Sequence, residues 1–261
     1  DVFVDDKQNL YITDPPNKRV LKINLITQSV QIIIQDLQVG SVWVDGNDNV
    51  YVTAIVPVIN QSSSDEYRVY KLNQTTGVLT VVVAGLLGTE ANQFRSMDDI
   101  YVDNAGSIYI ADKHNHRIQK WQQGGSSGQT VAGTGIKGSA PGELSSPGGI
   151  YFDKSGSMYI ADLGNNRIQK SSPGGWVTIG AANAPNSIYV DANNNVYVSE
   201  TSSHSVRKIL PAGQSFIVAG GNGNGSAANQ LYVPCGIYLD KDGNIYIADK
   251  GNNRVQKWDP Y

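Results

Sequence analysis

IYFDKSGSMYIAD, residues 150–162, reads as two short strands around a polar turn. Apolar and polar residues alternate on both sides of Lys-Ser-Gly-Ser, and Ile, Tyr and Phe crowd the flanks, which is the pattern of a β-hairpin. The same pattern recurs as VFVDDKQNLYITD (2–14), VWVDGNDNVYVTA (42–54), IYVDNAGSIYIAD (100–112), IYVDANNNVYVSE (188–200) and IYLDKDGNIYIAD (237–249). Behind each hairpin a third strand is expected: RVLKI (19–23), RVYKL (68–72), RIQKW (117–121), RIQKS (167–171), SVRKI (205–209) and RVQKW (254–258). The first five copies add a fourth: VQIII (30–34), LTVVVA (79–84), QTVAG (129–133), WVTIG (176–180) and SFIVAG (215–220).

A four-stranded antiparallel unit repeated about every 40 to 55 residues is the unit of a radial array rather than of a solenoid. The chain is therefore expected to be all-β: a single six-bladed β-propeller over residues 1–261, with repeats starting near 2, 42, 100, 150, 188 and 237. The sixth copy ends at RVQKWDPY (254–261), so the last blade is expected to lack its outer strand within this chain. Its edge could then accept a strand from upstream residues or from another molecule, as in an extracellular fibril.

The stretches YIADKHNHRIQKW (109–121), YIADLGNNRIQKS (159–171) and YIADKGNNRVQKW (246–258), with SSPGGIYFD (145–153) and VAGTGIKGSAPGEL (131–144), resemble the NHL-repeat β-propellers. The resemblance implies the six-bladed fold and leaves the activity open, since one fold hosts many functions. Some six-bladed relatives are lyases or lactonases with zinc or calcium in the channel, and some NHL propellers bind RNA.

In four copies an Asp closing the second strand and an Arg opening the third are separated by four residues: Asp14 and Arg19, Asp112 and Arg117, Asp162 and Arg167, Asp249 and Arg254. Each pair should face across the hairpin and fix its register through a charge-assisted hydrogen bond. A catalytic site needs one such pair, whereas a scaffold needs one per blade. Copies 2 and 5 depart, with Ala54 and Arg68 and with Glu200 and Ser205.

Candidate chemistry is sparse. Of three histidines, His116 and His204 occupy the turn position filled elsewhere by Lys18, Asn166 and Asn253, and His114 stands beside them. This is too few for a His-rich metal centre, so no metal or other cofactor is expected, although oxygen ligands for calcium stay open. DKDGN (240–244) reads as a β-turn, without the terminal Glu of a calcium loop. The Gly-rich AGGNGNGSAANQL (219–231) precedes no helix and is not a dinucleotide fingerprint. Cys235, the lone cysteine, reads as a small buried residue. With 20 Lys and Arg against 23 Asp and Glu, the concentrated positive field of a nucleic-acid binder is lacking. No apolar run reaches the ~18 residues that would suggest membrane insertion.

Function should lie where the copies differ. Loops between second and third strands and loops between blades share one face of a propeller. That face carries the insertion IVPVINQSSSDEY (55–67) and long inter-blade loops at 85–97, 133–147 and 221–234, which offer Phe94, Arg95, Met97, Glu143 and Tyr232 to a partner. Asn60, Asn73 and Asn224 head Asn-x-Ser/Thr glycosylation sequons. The expectation is a non-enzymatic recognition or assembly module, secreted or extracellular and glycosylated, binding a protein or glycan. The alternative is a metal-dependent lyase or hydrolase with a channel site.

Overall fold

The computed structural model describes residues 1–57 and 65–259. Blade 1 comprises β1 (Val2–Val4), β2 (Asn9–Asp14), β3 (Arg19–Asn24) and β4 (Val30–Gln35). Blade 2 has β5 (Gln38–Val44), β6 (Val50–Val56), β7 (Glu66–Leu72) and β8 (Leu79–Leu87), with the two-residue β9 (Gln93–Phe94) parallel to its outer edge. Blade 3 has β10 (Ile100–Val102), β11 (Ile108–Asp112), β12 (Arg117–Trp121) and β13 (Gln129–Gly133). Blade 4 has β14 (Ile150–Phe152), β15 (Met158–Asp162), β16 (Arg167–Ser172) and β17 (Gly175–Ala181). Blade 5 has β18 (Pro185–Val190), β19 (Val196–Glu200), β20 (Ser205–Ile209) and β21 (Ser215–Gly220). Blade 6 has β22 (Pro234–Leu239), β23 (Ile245–Asp249) and β24 (Arg254–Trp258), three strands among the described residues.

Every blade is an antiparallel meander, and the hairpin register expected from the alternation holds: Val2 faces Ile12 and Ile100 faces Ile110. In blades 2, 5 and 6 the first strand starts a few residues earlier than the pattern suggests, because a bulge before Val42, Ile188 and Ile237 lets pairing resume beyond it. In each of the first five blades a bulge lies at one equivalent place in the third strand, as at Val20/Leu21 and Ile168/Gln169, and adds twist to the outer strand. Apolar side chains between neighbouring sheets form the core. Val2, Val4 and Leu10 of blade 1 pack on Tyr246 of blade 6, so the ring closes through side chains. No helix of the described residues is long and apolar enough to cross a membrane.

The hairpin turns are built alike. In all six, one oxygen of the Asp that ends the first strand accepts the N–H groups two and four residues on, as Asp5 does from Lys7 and Asn9 and Asp240 from Asp242 and Asn244. DKDGN thus spends its first carboxylate on its own turn. The other oxygen takes a tyrosine hydroxyl in five copies, at 3.0 Å for Tyr11 and 3.1 Å for Tyr51 and Tyr159. A lysine of the third strand lies over the same ring, 5.4 Å away at Tyr51 and 4.7 Å at Tyr159.

Candidate functional site

The first face is organised by the Asp–Arg pairs. Each expected pair forms: Arg19 to Asp14 at 2.8 Å, Arg117 to Asp112 at 2.9 Å, and Arg167 to Asp162 and Arg254 to Asp249 at 2.7 Å. In three blades the guanidinium does more than hold register. Arg117 also donates to the carbonyls of Thr89, Glu90 and Gln93, each at 2.8 Å. Arg167 grips Ser139, Ala140 and Glu143, and Arg254 grips Ser226, Ala227 and Gln230, in the same way. These carbonyls belong to the three long inter-blade loops.

The rest of each clamp is equally regular. Asn115, Asn165 and Asn252 each bridge the clamp Asp to the carbonyl of Gly88, Gly138 or Gly225 at 2.8 Å. The second Asp oxygen accepts the N–H of Arg95, Ser145 or Tyr232. Buried Asp112 and Asp249 differ in their balance. Burial pushes the Asp112 carboxyl up, whereas at Asp249 the burial effect is outweighed by bonds from the Tyr232 N–H, Asn252, Arg254 and Gln256, which hold it below the ordinary range. Copy 5 substitutes Glu200, whose partner is Arg207 at 2.7 Å. Arg68 of copy 2 turns instead to Glu66 and to the Tyr70 hydroxyl.

Aligned on these contacts, the loops read GTEANQFR (88–95), GSAPGELS (138–145) and GSAANQLY (225–232). Their seventh residues, Phe94, Leu144 and Leu231, are fully buried anchors. This corrects two expected partner residues: Phe94 stacks on Trp121 with ring centroids 5.4 Å apart, and Met97 lies buried in the same cluster. The others remain at the surface to different extents. Arg95 is exposed, Tyr232 is 41 % exposed and stands beside His204, and half-buried Glu143 accepts the Ala140 N–H.

His116 and His204 sit in left-handed turn positions and accept, through Nδ1, the N–H of Ser146 at 3.0 Å and of Val233 at 3.2 Å. Asn166 does the same for Ala184 through its amide oxygen. His114 is exposed. Cys235 is half-buried rather than buried; burial pushes its thiol up, away from a reactive thiolate. Among the described residues no three or more His, Cys, Asp or Glu side chains converge as a metal site. Asn60 lies outside the described residues. Asn224 is exposed on the first face, and Asn73 caps a turn on the opposite face, its Oδ1 accepting the N–H groups of Thr75 and Thr76.

The axis of the molecule carries a feature that the sequence reading missed. The second residue of each hairpin is aromatic: Phe3, Trp43, Tyr101, Tyr151, Tyr189 and Tyr238. Their rings form a closed circuit, with successive centroid distances of 5.1, 4.4, 5.9, 4.9, 4.9 and 4.3 Å, the last returning from Tyr238 to Phe3. Trp43 also reaches Tyr151 at 6.2 Å. The channel is therefore plugged at this level. The aromatic column was visible in the repeats; that the rings meet depends on the curvature of the array. Towards the first face, the Ser41 hydroxyl lies between the carboxylates of Asp1 and Asp99, at 2.7 and 2.8 Å, and burial pushes Asp99 up to about 6.

Comparison with known proteins agrees with this architecture. The NHL repeat model matches residues 96–121 and 231–258. No curated protein matches the sequence. Among solved structures, an auxiliary nutrient binding protein from Bacteroides thetaiotaomicron VPI-5482 is similar with a TM-score of 0.71 and 16% identity, over 98% of this chain and 67% of that one. Virginiamycin B lyase from Staphylococcus aureus gives 0.61 and 14%, over 99% and 83%. A chain of a nidogen/laminin complex gives 0.66 and 16%, over 97% and 93%. At these identities the likeness is one of fold.

Proposed function

We propose that this NHL-repeat β-propeller is a non-enzymatic recognition module of a secreted glycoprotein, docking a protein partner on the face that carries its three clamped loops. The observation that carries this reading is the clamp itself. Three loops, each held by an Asn, an Asp and an Arg of the next blade, present a preformed surface, so little ordering entropy opposes docking. Arg95 and Tyr232 stand exposed on it, residue types that dominate binding energy at protein interfaces. The similar chain in a nidogen/laminin complex supports a protein partner for this fold. The lyase or hydrolase reading has less support, because the aromatic plug fills the axis where a channel site would be built.

A photo-crosslinker placed at Arg95 or Tyr232 should capture one partner from the native extracellular fluid that a crosslinker at Lys154, on the opposite face, does not capture. Purified partner should then lose at least about tenfold in affinity for R95E, a loss of about 1.4 kcal/mol. Equal capture from both faces, or unchanged affinity, would sink the reading. Glycopeptide mapping of Asn73 and Asn224 tests the secreted glycoprotein part.

A second reading, self-assembly, is supported by blade 6. The outer edge of β24 is unpaired among the described residues, and the buried Trp258 Nε1–H has no partner there. Light scattering that gives a monomer at all concentrations would exclude it.

A further inference from the structure

The second face, which carries the hairpin turns, holds a cavity of about 450 Å³ between blades 2 and 3. We infer that it is a binding site for a neutral saccharide. Its inner end is aromatic: the Trp43 and Tyr101 rings, two members of the axial circuit, lie 4.4 Å apart at 51°. Neither the Trp43 Nε1–H nor the Tyr101 hydroxyl has a protein hydrogen-bond partner among the described residues, and neither is sealed from solvent, unlike the Trp258 Nε1–H. Apolar ring faces edged with free donors suit a ligand with an apolar face and a polar rim.

The walls supply the complementary groups. Asn47 and Asn104, one from each flanking turn, are exposed, and their side-chain amides bond to no other described residue. Each amide offers both a donor and an acceptor, the combination a sugar hydroxyl requires. Among the described residues the Lys71 ammonium lies over the Tyr51 ring without a hydrogen bond, and Asp103 Oδ2 receives only the Tyr109 hydroxyl, at 3.3 Å. One cation stands against two carboxylates, Asp45 with both oxygens taken by Asn47, Asn49 and Tyr51 and Asp103 with one oxygen lightly used, so no positive excess recruits an anion, and the amides favour a neutral polyol. The flanking turns are held by their own Asp bonds and by Gln123, which ties the Tyr51 hydroxyl to the Gly106 carbonyl, so the site is preformed.

The neighbouring gap is bridged in the same way but differs at its lysine. Between blades 1 and 2, Gln74 donates to the Tyr11 hydroxyl and the Asp48 carbonyl and accepts from Lys22, which ties off the equivalent lysine. Between blades 2 and 3 Gln123 makes the equivalent two donations, while the Lys71 ammonium has no hydrogen bond among the described residues. The two gaps thus differ in whether a lysine is tied off, on the face opposite the proposed protein surface.

The test is a printed array of neutral plant, microbial and animal oligosaccharides, followed by titration of the best-retained one into the wild type and variants. Retention is expected, with affinity reduced at least about tenfold in N47A/N104A, the equivalent of about 1.4 kcal/mol. W43A should abolish binding, and N193A, in the equivalent turn of blade 5, should leave it unchanged. Both Asn47 and Asn104 are exposed, so the double variant folds whether or not W43A does. An array without retention, or undiminished binding by N47A/N104A, overturns the inference. R95E leaves saccharide binding intact, which separates this site from the protein-docking face.

Discussion

Arg117 donates to the carbonyl of Gln93 at 2.8 Å, across a blade boundary, while its Nε stays on Asp112. The same guanidinium therefore sets the register of one hairpin and the path of the loop that enters its blade. Neither task can be removed without the other.

Arg117→Leu should cost about 3 to 5 kcal/mol of stability, because it strands a buried carboxylate. Arg19→Ala, where the side chain is 34 % exposed and no long loop is gripped, should cost about 1 kcal/mol or less. Urea denaturation of both variants checks the contrast. Amide exchange should also accelerate through residues 88–95 in Arg117→Leu alone.

Tyr238 contacts Phe3 and Tyr189 in the axial circuit, and its hydroxyl makes no hydrogen bond to a described residue. Tyr238→Phe should stay within about 0.5 kcal/mol of wild type. Tyr238→Ala should lose about 3 to 5 kcal/mol by opening a cavity at the axis. Equal effects in calorimetry would mean that the rings do not act as packing.

Burial, then the charges of Lys137 and His114, lowers the His116 pKa from its ordinary 6.5. The folded state then binds fewer protons than the unfolded chain just below that value, so stability is full above pH 6.5 and is lost as pH falls through the folded pKa. His116→Asn keeps an acceptor for the Ser146 N–H, as Asn166 does for Ala184, and does not titrate. Melting curves should separate wild type from variant below pH 6.5 and coincide above it.

Gly133 has φ +79°, and a Cβ there would lie 2.2 Å from the His116 carbonyl oxygen. Gly156 has φ +83° with nothing within 4 Å. Gly156→Ala should cost about 1 to 2 kcal/mol from the left-handed backbone alone. Gly133→Ala should cost clearly more, since backbone must move; comparison of the two melting temperatures decides it.

The blades were legible because hairpin alternation is local and was written six times over. The Asp–Arg pairing was legible from spacing within one turn. Its second half was not, because the gripped groups are backbone carbonyls 24 to 28 residues upstream, with no side chain to mark them. Phe94 is a different case: hydrophobic in a loop, it resembles a docking residue until Leu144 and Leu231, aligned by those same contacts, show the column to be an anchor. The site between blades 2 and 3 depends on a lysine that no glutamine oxygen ties off, and that appears only in three dimensions.

The aromatic circuit turns the propeller from a conduit into a partition. A molecule held on one face cannot reach the other along the axis, so the two surfaces can be occupied at once without competing. The rings touch around the whole axis, which makes a change in Trp43 fluorescence a direct report of any rearrangement there when a ligand binds.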